Sequence, residues 1–194
     1  MSLGKQSKIL GRGQIGAILS YLAKTRHPVR NRAIFFLSLK AGLRAKEIAS
    51  LTWEMITDAD GEVAQAIHLQ DKASKGRSGR IIPMNGDLKS ALQVLRRLVC
   101  AKAGTFVISS ERSPRVSPQS IVNMFSRWYD ELGFSGCSSH SGRRTFITNA
   151  ARKISTVDGS LRDVQILAGH ANLRTTQRYI EPNAAAQIKV VSLL

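Results

Sequence analysis

The chain has 194 residues, enough for one domain or for two small lobes that share a core. Its composition, 43% apolar and 22% charged, is that of an ordinary globular protein. The 29 Lys and Arg residues against 13 Asp and Glu give a net charge of +16, which attracts polyanions and makes nucleic acid the leading candidate partner. A ribosomal or histone-like protein would show the same balance. The basic residues are spread through the chain, which favours a folded cationic surface over a disordered arm.

The sequence shows no sign of export or of a membrane segment. Cys100 and Cys137 stand apart without metal-ligand spacing, which is typical of reduced thiols in the cytosol. Lys5 and Lys8 precede an apolar run that loosely resembles a signal peptide. However, the apolar positions of residues 15–22 recur at helical spacing, and no run approaches the roughly 18 residues of a membrane span. We therefore expect a cytoplasmic protein.

The first third of the chain is predicted to be helical, with an amphipathic stripe over residues 14–24. Pro28 can open a second helix that extends to about residue 42, and a third begins near Arg44. Residues 62–84 predict two short strands around a glycine-containing turn. Helical patterns return at 87–101, 118–132, 140–153, 160–168 and 173–180. The sequence thus predicts a mostly α fold with one small antiparallel β-sheet.

One motif, GxGxxG at Gly11, Gly13 and Gly16, would indicate a dinucleotide site if it followed a strand. The preceding residues 4–10 form a poor strand. Position 36, where an acidic residue would bind the ribose, is Phe36. We therefore predict that no cofactor is bound through this motif.

Two arginines stand where a phosphate could be held. Arg44 lies at a predicted helix start, where a guanidinium can bind two phosphate oxygens and the helix N-terminus adds positive potential. Glu47 shares its helical face and could fix the guanidinium, although a surface ion pair would give the same pattern. His140 and Arg143 also share one helical face. His140 can take up a proton near neutral pH, and Arg143 can share the phosphate charge with Arg44.

The helix that carries Arg143 has an unusual interior residue. Gly142 is expected to weaken this helix by roughly 1 kcal/mol relative to Ala and to alter its packing. The pose of Arg143 depends on that packing, and Arg144 is the neighbouring alternative.

His170 and Tyr179 are nine residues apart, so an unbroken helix at ~100° per residue would place them on opposite faces. They can converge only if the chain turns between them. Gly169 suits a helix C-cap and Asn172 a helix N-cap. We therefore predict a helix, a turn and a second helix, with Tyr179 late in the second helix.

The local sequences around these residues are GLRAKE at Arg44, HSGRR beginning at His140 and LAGHANLRTTQRY ending at Tyr179. Together with SKGRSGRIIP between the predicted strands, they resemble the catalytic domain of tyrosine recombinases, the phage-integrase family. The resemblance covers about residues 10–182. It implies the tyrosine-recombinase catalytic fold.

The resemblance also assigns a role to Lys75. Considered without the other residues, a lysine in such a turn would simply be solvated. In this family a lysine on such a hairpin enters the DNA minor groove and protonates the leaving oxygen. The family arrangement is KGxxxRxxP, and Lys75, Gly76, Arg80 and Pro83 occupy its four fixed positions. Lys72 fits this spacing less well.

The implied reaction is site-specific recombination, as in DNA integration, excision or inversion. Tyr179 attacks a backbone phosphate and forms a 3′-phosphotyrosyl bond, while Arg44 and Arg143 bind the charge on the phosphate oxygens. His140 is the expected base, and His170 is expected to donate a hydrogen bond to the phosphate. The phosphotyrosyl bond conserves the energy, so the resemblance implies no cofactor, no metal and no ATP.

We expect residues 1–182 to form the catalytic domain and residues 183–194 a tail that packs on a neighbouring protomer. The family pattern begins almost at once, so the usual N-terminal core-binding domain is expected to be absent, as in a naturally short member or a fragment. The implied partners are double-stranded DNA, further copies of the chain as a dimer or tetramer on DNA, and an accessory DNA-bending protein. Two alternatives stay open: a type IB topoisomerase-like enzyme, and a non-catalytic DNA-binding protein such as a truncated recombinase.

Overall fold

The computed structural model describes residues 6–73, 79–99, 102, 104–180 and 184–192, and for residues 184–186 the backbone only. The helices in these ranges are α1 (Arg12–Leu22), α2 (Pro28–Ala41), α3 (Ala45–Ser50), α4 (Gly86–Val99), α5 (Pro118–Glu131), α6 (Ser141–Lys153), α7 (Leu161–Ala168), α8 (Leu173–Gln177) and α9 (Ala184–Val191). The strands are β1 (Ala66–Leu69) and β2 (Arg80–Pro83). The prediction of a mostly α fold with a small antiparallel sheet is confirmed. Among the described residues, no helix has the length and apolar character needed to cross a membrane.

Helix α2 forms the centre of the fold. Pro28 occupies its first turn, where the missing N–H is harmless, and Gly42 ends it in the left-handed conformation at φ 64°. Its residues are buried on nearly all sides because α2 packs against both α4 and α6. The main apolar core surrounds it and includes Ile34, Phe35 and Leu37.

The two strands place a charged residue against this core. Residues 66–69 pair with residues 80–83 in antiparallel register, so that Leu69 lies opposite Arg80. Alternate residues of β2 point inward, and Arg80 and Ile82 are both buried while Ile81 is exposed. Lys75, in the segment between the strands, lies outside the described residues.

A second, smaller apolar cluster lies between α6 and α7. Its buried members are Ile147, Val164 and Ala168, and Tyr179 packs against their edge. The predicted helix over residues 173–180 is wrong at its end, because α8 stops at Gln177. The N–H of Tyr179 donates to the carbonyl of Thr176, three residues back, so the chain tightens into a turn there.

Candidate active site

Arg143 is buried to 3% exposure where two helices end. Its Nη1 donates to the carbonyl of Gly42 at 2.5 Å, just after α2, and its Nη2 donates to the carbonyl of Ala168 at 2.7 Å, the last residue of α7. The guanidinium charge therefore meets the negative ends of two helix dipoles. Burial, together with the charge of Arg44, lowers the pKa of Arg143 to about 10, so Arg143 stays protonated at neutral pH.

Gly142 allows this arrangement, because α6 lies close against α2 at that point. A Cβ on residue 142 would lie 2.5 Å from Oγ of Ser38 and 3.0 Å from its Cβ. Any larger residue would push the two helices apart. The expected altered packing is thus a closer one, and it brings Arg143 within reach of the Gly42 carbonyl.

Glu47 joins two arginines in the interior. Its carboxylate is fully buried and accepts from Nη1 of Arg44 at 2.9 Å and from both terminal nitrogens of Arg80 at 3.1 Å. It also accepts from the backbone N–H of Arg44 at 2.9 Å, which caps α3. Burial raises the pKa of Glu47, but the hydrogen bonds and charges of Arg80 and Arg44 outweigh it and lower that pKa overall. The side chain of Arg44 retains 27% exposure, which leaves it accessible to a phosphate.

The turn after α7 brings His170 and Tyr179 together. Gly169 adopts a left-handed conformation at φ 61°, and Oδ1 of Asn172 accepts from the N–H of Arg174 to begin α8. The two rings stack with their centroids 5.6 Å apart and their planes 22° from parallel. Tyr179 lies two residues beyond α8, and its carbonyl accepts from Thr148 Oγ1 at 3.2 Å.

The contacts of His170 fix its tautomer. Its Nε2 lies 2.9 Å from Nη2 of Arg143, which can only donate, so Nε2 accepts. Nδ1 therefore carries the proton and donates to Oγ1 of Thr176 at 3.0 Å. Burial and the charges of Arg143 and Arg44 lower the pKa of His170 to about 4. In this arrangement His170 is neutral, and its one N–H is engaged by Thr176 instead of being open to a phosphate.

His140 immediately precedes α6 and is exposed, although neighbouring groups bury part of it. Partial burial lowers its pKa, and the charges of Arg143 and Arg44 lower it further. A neutral imidazole beside two guanidinium groups can accept a proton at physiological pH.

A cavity of about 230 Å³ lies where His140, Arg143 and Tyr179 meet, whereas Arg44 and His170 are not among its lining residues. The guanidinium carbon of Arg144 lies 6.0 Å from the centre of the Tyr179 ring, so this cavity has a strongly cationic wall. Its lining consists of Gln6, Ser7, His140, Arg143, Arg144, Thr175, Arg178 and Tyr179. In the described part of the chain, no group of three or more His, Cys, Asp or Glu residues is placed to hold a metal ion.

Sequence reasoning missed the contacts of Thr176 and Arg80. Thr176 gives no sequence signal, because its role depends on where the turn places His170. Arg80 does give one: the alternation of residues 80–83 puts it on the same strand face as Ile82. A charged residue on a buried face needs an opposite charge, which points to a buried carboxylate such as Glu47.

Residues 8–186 match the phage integrase family. Tyrosine recombinase XerC of Shewanella amazonensis is 32% identical over 188 residues, which are 92% of this chain and 59% of that protein. The crystal structure of XerA recombinase superposes with a TM-score of 0.74 at 22% identity, covering 97% of this chain and 65% of that one. The structure of the Tn1549 transposon integrase in complex with transposon right end DNA superposes with a TM-score of 0.74 at 19% identity. The match covers 94% of this chain and 64% of that one. The chain thus spans less than two thirds of these proteins, and it belongs to the phage integrase family of tyrosine recombinases.

Proposed function

We propose that this chain cleaves and rejoins DNA strands in site-specific recombination, through a 3′-phosphotyrosyl intermediate. The observation that carries the proposal is the shared cavity of His140, Arg143 and Tyr179, behind which His170 stacks on the Tyr179 ring. A nucleophile, a neutral base and a buried cation thereby face one space. The similar XerC protein is named a tyrosine recombinase, and the similar Tn1549 integrase is solved with transposon DNA.

In the proposed reaction, the Tyr179 hydroxyl attacks the scissile phosphorus while its proton passes to His140. A bond forms between phosphorus and the phenolic oxygen, and the bond to the 5′ oxygen breaks. Lys75 supplies the proton that the departing 5′ oxygen takes up. A 5′-hydroxyl from a second strand then reverses the step, which exchanges strands without ATP.

Arg143 and Arg44 stabilise the transition state by binding the non-bridging oxygens. Because Arg143 is buried and already oriented by the Gly42 and Ala168 carbonyls, its guanidinium keeps its position as charge develops. A phosphate that takes the Nη2 donor of Arg143 would release Nε2 of His170, which accepts from it now. His170 could then change tautomer and donate to the phosphate.

The proposed partners are double-stranded DNA and further copies of this chain, as a dimer or tetramer on DNA. The net charge of +16 suits the first partner. The second is suggested by α9, whose Ile188, Val190 and Val191 are all exposed, Ile188 to 71%. In this view, residues 1–182 form the catalytic domain and residues 183–194 form the tail that docks on a neighbour. An accessory DNA-bending protein stays a prediction.

Covalent trapping tests the proposal. The chain is incubated with candidate attachment-site DNA nicked just past the scissile phosphate, beside Tyr179→Phe, and resolved on a denaturing gel. We expect an adduct with the wild type and none with the variant. Binding without an adduct would favour a non-catalytic DNA-binding protein. Relaxation of supercoils without pairing of sites would favour a topoisomerase-like enzyme.

A further inference from the structure

Arg80 lies in the interior beside Glu47 and Arg44, although no step of the proposed reaction uses it. Its side chain is 3% exposed, and both terminal nitrogens face the Glu47 carboxylate at 3.1 Å. Its Nε donates to the carbonyl of Leu167 at 2.9 Å. One guanidinium therefore joins the first residue of β2 to α3 and to the end of α7.

The guanidinium of Arg80 also packs against the backbone just before His170. A Cβ on Gly169 would lie 2.7 Å from Nη1 of Arg80 and 2.9 Å from its Cζ. The left-handed conformation of Gly169 directs the chain into the turn that carries His170. Arg80 thus fixes this turn through a hydrogen bond to Leu167 and a close contact at Gly169.

Two successive carbonyls at the end of α7 accept from two different arginines. Leu167 accepts from Arg80 and Ala168 accepts from Arg143, so the helix end is held from two directions. On the other side, Glu47 divides its hydrogen bonds between Arg80 and Arg44. Without Arg80, the helix end would be held by Arg143 alone and the carboxylate by Arg44 alone, so each would lose one of its two supports.

On the basis of the proposed function, we infer that Arg80 is a positioning residue for the phosphate-binding groups Arg44 and His170. It acts on Arg44 through the shared Glu47 carboxylate and on His170 through Leu167 and Gly169. An arginine suits this role because its planar fork fixes two hydrogen bonds at once, which a lysine cannot do.

The test compares wild type with Arg80→Met on two nicked substrates, one with an ordinary scissile phosphate and one with a methylphosphonate there. The methylphosphonate lacks the negative charge that the arginines stabilise. We expect Arg80→Met to cleave the ordinary substrate on the order of 100-fold more slowly, the cost of an ångström-scale misplacement. On the methylphosphonate substrate, the factor by which Arg80→Met cleaves more slowly than wild type should be markedly smaller. The same reduction is expected for Arg44→Ala.

The matched control is Arg96→Met, which breaks a more exposed arginine–glutamate pair, Arg96 Nη1 to Glu62 Oε1 at 2.8 Å. Arg96→Met should leave the ratio of the cleavage rates on the ordinary and methylphosphonate substrates at its wild-type value. Thermal melting of each variant establishes that it is folded. If Arg80→Met does not fold, the same ratio is measured for Arg80→Lys, which keeps the charge and loses the fork.

Two outcomes would overturn the inference while the wild type still cleaves. One is a folded Arg80 variant that cleaves the ordinary substrate at the wild-type rate. The other is a loss of equal size on both substrates, which would mean that Arg80 supports the fold or the leaving group and not the phosphate-binding groups. If the wild type itself forms no adduct, the proposed function fails instead.

Discussion

The two sides of the candidate site rest on supports of very different strength. Arg44 immediately precedes α3 and Arg143 lies on α6, and both helices pack against α2. Their guanidinium groups are bound to Glu47 or to helix-end carbonyls. Tyr179 lies just beyond the five-residue helix α8 and packs at the edge of a cluster with only three buried apolar members among the described residues.

This difference separates the proposed phosphate-binding groups from the proposed nucleophile. The proposed phosphate-binding side is already organised in the DNA-free chain, because its hydrogen bonds are largely buried and are satisfied within the chain. The tyrosine side packs on a smaller set of buried apolar residues, and the helix that follows it in the chain, α9, has exposed apolar residues. Because α9 follows Tyr179 in the chain, we expect a neighbouring copy that covers α9 on DNA to influence attack by Tyr179.

The largest expected effect comes from Glu47→Gln on the phosphate-binding side. Removing the carboxylate leaves Arg80 buried without its counterion, which should reduce the free energy of unfolding by about 3–5 kcal/mol. Glu62→Gln, in the more exposed pair with Arg96, should change it by less than about 1 kcal/mol. Urea denaturation of both variants measures the difference. Equal losses would contradict the idea of a preorganised phosphate side.

A pH-dependent effect of similar size is expected at His170. Its pKa is about 4 in the folded chain and 6.5 as the ordinary value, so between these pH values the unfolded chain binds a proton that the folded chain does not. The free energy of unfolding should therefore fall by about 3 kcal/mol as the pH drops through this window. Denaturation curves at several pH values measure it. The difference between the wild-type and His170→Asn plots of unfolding free energy against pH isolates the contribution of this residue. If the two plots are parallel between pH 4 and 6.5, the prediction is refuted.

A smaller effect is expected where α6 meets α2. Gly142→Ala should reduce the free energy of unfolding by about 1–3 kcal/mol, because the new Cβ would overlap Ser38. Adding Ser38→Ala removes the nearest atom and should restore part of the loss. The control is Gly16→Ala in α1, which has open space around it and should stabilise by roughly 0.5–1 kcal/mol. Stabilisation by Gly142→Ala as well would mean that the helices are not in tight contact.

The smallest effect on stability is expected on the tyrosine side. Replacing Ile188 and Val191 by Ser should change the free energy of unfolding by less than about 0.5 kcal/mol, because both side chains are exposed. The same double variant should lose paired complexes on DNA while single-site binding persists, as native gels with one-site and two-site DNA would show. Gln187→Ser is the control on the same helix. Unchanged pairing would remove the proposed role of α9.

The parts of the fold that could be predicted are those with local signals. Proline at a first turn and glycine after a last turn define α2, which was predicted nearly to the residue. The turn between His170 and Tyr179 was also predicted, because Gly169 and Asn172 are a C-cap and an N-cap. The end of α8 was not, since a short helix can tighten at its last turn without any change in residue type.

The contacts that hold the site could not be predicted, because they join distant residues. Glu47 and Arg80 are 33 positions apart, and Arg143 reaches a carbonyl 101 positions away. Nothing in either local pattern names its partner. The role of Lys75 stays a prediction, because that residue lies outside the described part of the chain.

Arg143 holds its charge in a way that suits the proposed capture of DNA. A carboxylate partner would bring a full negative charge that competes with an incoming phosphate, whereas a backbone carbonyl is a dipole without net charge. The two carbonyls that Arg143 contacts therefore orient it without cancelling it. Below about pH 10, Arg143 therefore remains a fixed cation in the floor of the cavity, where the proposed phosphodiester would not have to displace an anion from it.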